Sequence, residues 1–151
     1  MKKFLLYSTV LAVGIAACKK DDDTTPETEP IKFELAADSV NGRVVIALPD
    51  TTEEADVLVR FKNTDTKSIQ VKWRREPLSV PSAWQLATCD NYACYTSAAQ
   101  VMTVNAQDSF DFKMVFRSKG VAGTGSAQVL FFDPTDSART VKKVYFEAEA
   151  R

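Results

Sequence analysis

Histidine is absent from all 151 residues. That removes the side chain most used for proton transfer near neutral pH, and the commonest metal ligand. Without it a Ser-His-Asp triad cannot be assembled. Cysteine occurs only 3 times and glycine only 5 times, too few for a disulfide-dense scaffold or a low-complexity chain. Neither sign of charge dominates: 19 Lys and Arg stand against 20 Asp and Glu, so no basic face for nucleic acid is expected. No stretch holds a helical period over three turns. Beyond the first residues, no apolar run approaches the length of a membrane-spanning helix. Catalytic residues, cofactors and a metal site are not expected.

What the chain does have is enough length for one core but not comfortably two. Its start is an address. Lys2 and Lys3 form a positive segment, and Phe4 to Ala17 form an apolar run of 14 residues, the length of a signal h-region and short for a membrane helix. From Lys19 to Pro30 no large apolar residue occurs, and charge and proline dominate. Such a segment cannot bury enough surface to fold and reads as a solvated tether. The expected organisation is a signal peptide over 1–17, a tether over 18–30 and one domain over 31–151.

From Ile31 onward the hydrophobic period is two, the mark of half-buried strands. Ile31, Phe33 and Leu35 alternate with polar residues, as do Val57, Val59 and Phe61. The same holds for Ile69, Val71 and Trp73, for Phe110 to Phe116, and for Val144, Phe146 and Ala148. Val44 to Leu48 reads as a short strand after a turn at Asn41-Gly42. Ala127 to Phe132 is apolar on both faces, which predicts a central strand. Turn chemistry separates these runs at Asn63 to Thr66, at Gly120 to Gly125, which reads as a hairpin, and at Asp133 to Ser137. The pattern predicts an all-β, immunoglobulin-like antiparallel β-sandwich, with a closed barrel as the alternative.

Cys89 and Cys94 lie close enough that they should form a disulfide outside the cytoplasm. Such a bond closes a short loop and adds roughly 2 kcal/mol. It staples a local loop without joining two sheets. A redox role is disfavoured, because four residues separate the cysteines and no helix N-terminus is evident to lower a thiol pKa.

Three resemblances add to this. Ile15-Ala16-Ala17-Cys18 resembles the lipobox of bacterial lipoproteins. That family implies cleavage before Cys18, lipid attachment to its thiol and anchoring at a membrane by several acyl chains. Lys19-Lys20-Asp21-Asp22-Asp23 resembles the surface-export signal of Bacteroidota lipoproteins, implying an outer-membrane anchor facing outward; the alternative is a plain acidic spacer at the periplasmic face. Trp73, then Pro81 to Trp84, then Cys89-Asp90 to Cys94-Tyr95 resembles an immunoglobulin-like module common in Bacteroidota secreted and surface proteins. The resemblance covers roughly Phe33 to Ala148 and implies no reaction. Such modules often precede a C-terminal sorting domain; this chain runs only one strand past the Gly-rich segment, so lipid is expected to replace that anchor.

Trp73 is in phase with Ile69 and Val71 and reads as core. Trp84 is expected to pack on the disulfide. Tyr92 is the best candidate for an exposed aromatic, and with Trp84 and Tyr95 it would form a stacking platform for sugar rings. Asp108, Asp111, Asp133 and Asp136 carry oxygen ligands in no calcium-loop spacing and read as solvated turn residues. The segment Gly120 to Gly125 lacks the lysine and the helix of a phosphate-binding loop. The expected function is a non-catalytic, membrane-anchored envelope module contacting another protein. A surface glycan-binding lipoprotein is the alternative, and an enzyme or enzyme inhibitor of unknown class comes after it.

Overall fold

The computed structural model describes residues 30–49 and 51–151; the expected signal peptide, Cys18 and the expected tether as far as Glu29 lie outside the described residues. Among the described residues every regular element is a strand. They are β1 (Phe33–Leu35), β2 (Ser39–Ile46), β3 (Glu54–Asn63), β4 (Ile69–Ser79), β5 (Gln85–Cys89), β6 (Cys94–Tyr95), β7 (Ala99–Val104), β8 (Ser109–Arg117), β9 (Gly123–Asp133) and β10 (Asp136–Ala150). They form two five-stranded sheets, ordered β1-β3-β8-β5-β6 and β2-β10-β9-β4-β7. The fold is an immunoglobulin-like β-sandwich.

The period-two pattern places the core. Along β3, Ala55, Val57, Val59 and Phe61 are buried while Glu54, Asp56, Leu58 and Arg60 face solvent. Between the sheets Phe61, Trp73, Phe112, Phe116, Phe131 and Phe146 are almost wholly buried. Each such side chain contributes roughly 1.5–3 kcal/mol by leaving water. Their rings meet edge to face: Phe112 and Phe131 have centroids 5.1 Å apart at 67°, and Trp73 and Phe112 5.9 Å apart at 80°, the geometry the ring quadrupole favours. On the outside of the first sheet, cross-strand pairs Arg60–Asp111 and Lys113–Asp56 form a charged face.

Two local expectations are corrected. Asn41-Gly42 does not turn the chain. β2 runs through it and pairs in parallel with β10, where Val40 opposes Phe146 and Val44 opposes Ala148. Three residues of β2 therefore stand against one of β10, so the Asn-Gly pair sits in a bulge. This also makes the second sheet mixed, since its other pairs are antiparallel. Gly120 to Gly125 is not a hairpin either. β8 pairs with β3 and β5, whereas β9 pairs with β10 and β4, so the segment crosses from one sheet to the other. Gly120 supplies the positive φ, 76°, that the crossing requires.

The sandwich has two distinct ends. The chain enters where Phe33 opposes Asn63. Buried Asn63 ties the two adjacent loops together there, its Nδ2 donating to Lys67 O at 2.9 Å and Asn105 O at 2.8 Å. At the other end Arg117 opposes Glu54 on one side and Gln85 on the other. The 10 residues of β3 span about 30 Å between the two ends.

Candidate functional site: an open flank between the sheets

One long side of the sandwich lies between β4 in one sheet and β5 in the other. Toward the entry end this flank is closed. β7 pairs with Ile69 to Arg74 of β4, and the β5–β6 loop folds over the outer edge of β7. Asn91 Nδ2 and Tyr92 OH both donate to Thr103 O, at 2.9 and 3.0 Å. Edge groups that would otherwise invite another strand are thereby covered. The loop is held from within. Cys89 and Cys94 oppose each other on β5 and β6 and form a disulfide with a Cα–Cα distance of 3.9 Å. Asp90 Oδ1 accepts from the backbone N–H of Tyr92 at 2.9 Å, an Asx turn. Asp90 Oδ2 accepts from Trp73 Nε1 at 3.1 Å.

Toward the far end the same flank is open. β6 covers only Thr88 and Cys89 of β5, which among the described residues leaves Gln85, Leu86 and Ala87 without a strand on that side. On β4, the N–H of Arg75 donates to Ala98 O at 2.7 Å, and no strand pairs with Glu76 to Ser79 beyond it on the side away from β9, among the described residues. Pro77 falls on this open side, where its missing N–H costs no ladder bond. A cleft of about 290 Å³ lies between the two edges. Pro77, Val80, Pro81, Ser82, Trp84 and Leu86 line it together with Arg75.

Arg75 follows Val71 and Trp73 at the two-residue spacing that points side chains inward, and it is only 8% exposed. Its guanidinium bridges the sheets. Nη1 donates to Thr88 Oγ1 at 3.2 Å and to Tyr95 O at 3.4 Å, and Nη2 donates to Thr96 O at 2.7 Å. All three acceptors are neutral. Among the described residues no carboxylate pairs with it. Burial lowers its pKa, although a guanidinium stays charged throughout the range in which proteins fold. The result is a cation inside the flank with no counter-charge among the described residues.

Trp84 stands at the mouth of this cleft and not beside the disulfide. Its Nε1 donates to Val121 O at 2.9 Å, and its ring meets Phe116 edge-on at 6.4 Å. The tryptophan that reaches the bridged loop is Trp73, which bonds Asp90 and lies 6.0 Å from the ring of Tyr95. Both tryptophans are buried, Trp73 at 0% and Trp84 at 6% exposed, whereas Tyr92 is 65% exposed. Trp84 precedes the first residue of β5, and Tyr92 and Tyr95 follow its last, so the three do not gather on one open face. Asp108 and Asp133 accept backbone bonds in their own turns, and Asp111 pairs with Arg60. Among the described residues no cluster of three metal-ligating side chains occurs.

Arg75 was not singled out from the sequence, although its signal is there: the inward phase of Ile69, Val71 and Trp73 continues onto it. Thr88, its buried partner, carries no comparable mark.

No family model matches the chain, and no curated protein does. Among solved structures, the N-terminal domain of PorA is similar over 72% of this chain and 88% of its own length, with 15% identity and a TM-score of 0.53. The PapD-like domain 7 of human CEP192 overlaps 93% of this chain and 96% of its own, at 14% identity and a TM-score of 0.40. A conjugative transposon lipoprotein from Bacteroides eggerthii overlaps 80% and 95%, at 12% identity and a TM-score of 0.34. The last two overlaps are too loose to carry an argument. The likeness to PorA concerns the fold alone.

Proposed function

We propose that this chain is a non-catalytic lipoprotein of the cell envelope, tethered to a membrane through Cys18, whose sandwich contacts another protein at the end turned away from the bilayer. The observation that carries this reading is the polarity of the domain. The chain enters beside Asn63, and the unpaired edges of β4 and β5 lie at the opposite end, about 30 Å away. A lipid on Cys18, held by the tether up to Pro30, leaves that end free to meet a partner. The lipobox supports the anchor, and the acidic run after Lys20 supports display on the outer surface of the outer membrane.

Photo-cross-linking in cells tests the contact. A cross-linker at Val121, 40% exposed at the far end, is expected to trap a discrete envelope protein, and one at Leu58, 44% exposed on the charged outer face, is expected to trap none. Adducts from neither position, or equally from both, would contradict the reading. Replacing Lys20 to Asp23 by alanines is expected to abolish protease access in whole cells; a wild-type protein that proteases never reach would remove surface display.

A further inference from the structure

We infer that the cleft at Arg75 is a carboxylate-binding site, and that its occupant is an extended acidic segment of a protein partner, one Glu or Asp side chain of which reaches the guanidinium. This rests on the interaction reading above and gives that partner a chemistry. Three observations converge. The first is charge: Arg75 is more than nine-tenths buried and, among the described residues, its guanidinium donates to neutral oxygens alone. A guanidinium carries five N–H donors, so these three bonds leave two for a carboxylate. A buried charge without a counter-ion is costly, and a partner that brings one recovers part of that cost. The second is the lining. Pro77, Val80, Pro81, Trp84 and Leu86 are apolar, Ser82 is neutral, and no acid stands among them to compete. The third is the backbone. Among the described residues Gln85 to Ala87 present an unpaired strand edge beside the cleft, which orders an extended segment by main-chain bonds.

The tether of this chain is acidic too, but it joins the fold at the other end, beside Asn63. A partner segment therefore fits the site better. Beyond Arg75 the groove is shut by the crossover from Tyr95 to Ala98, whose carbonyls accept from Arg75.

The test is titration of the mature lipidated protein in detergent micelles with an acetylated, amidated pentaglutamate peptide, read by tryptophan fluorescence, since Trp84 lines the cleft. Saturable binding that weakens as salt rises is expected, with no binding of the pentaglutamine control up to the same millimolar concentration. Arg75→Lys keeps the charge but loses the planar fork and is expected to weaken binding at least fivefold. Ser82→Glu places a carboxylate at the cleft from an exposed loop position, where the fold tolerates it, and is expected to weaken binding as much with an unchanged melting temperature. Lys72→Gln, on the outer face of β4, is expected to change nothing. No binding, equal binding of pentaglutamine, or full binding by a folded Ser82→Glu protein would overturn the site. If the peptide fails while cross-links from Val121 persist, the acidic-segment inference falls and the envelope-contact reading stands.

Discussion

At the scale of single residues, the far end of the sandwich depends on how closely Trp84 approaches Gly125. A Cβ on Gly125 would lie 2.7 Å from Trp84 Cζ3 and 3.2 Å from Phe116 Cδ1. The indole cannot retreat freely, because its N–H is held by Val121 O. Gly125→Ala is therefore expected to destabilise the fold by about 1–3 kcal/mol through overpacking, seen as a lower midpoint in chemical denaturation; an unchanged midpoint would mean the ring moves without cost. In the middle of the core, Phe112→Ala is expected to cost about 3–5 kcal/mol, because Phe112 touches both Trp73 and Phe131. Such core positions were legible in the sequence, since alternation alone marks them. Arg75 was harder to read. A charged residue on an inward phase looks like the end of a buried pattern until Thr88, Tyr95 and Thr96, 13 to 21 positions later, are folded against it. Trp84 was misplaced for the same reason: five positions from Cys89 in sequence, it sits at the opposite end of an extended β5.

At the scale of elements, the strands with clean alternation were readable and the short or irregular ones were not. β7 went unrecognised because Val101 and Met102 stand side by side, and Val101 remains 52% exposed at the sheet edge. The Asn41-Gly42 pair has the composition of a hairpin, but pairing with β10 across the molecule overrode it, as long-range contacts override local preference. Gly120 to Gly125 was legible as a turn, but which sheet each flanking strand joins is not a local property. The cysteine pair was legible because its spacing fits one tight loop. Replacing Cys89 and Cys94 by serine is expected to remove roughly 2 kcal/mol and lower the melting temperature by about 5–10 °C while the far-ultraviolet circular dichroism stays that of a sandwich. The loop it releases carries Asn91 and Tyr92, so amide exchange along β7 is expected to quicken around Thr103; an unaltered rate there would mean those side chains hold the edge without help from the bridge.

At the scale of the whole molecule, one side of the sandwich is divided in two. The disulfide-closed loop seals the half near the entry end, and the other half exposes two strand edges around a cation. An edge left open is a hazard for a protein in solution, and it is consistent with a surface reserved for a partner. The short length of the open edge of β5, Gln85 to Ala87, and the proline at position 77 on β4 limit indiscriminate pairing. A lipid on Cys18, as proposed, would set which end of the sandwich faces a bilayer and which is left for a partner. The most direct measurement is detergent phase partitioning of the mature protein after growth with labelled palmitate, beside a Cys18→Ala variant. The wild-type chain is expected to carry the label and enter the detergent phase, and the variant to carry none and accumulate uncleaved. A mature wild-type protein that stays unlabelled in the aqueous phase would contradict the account.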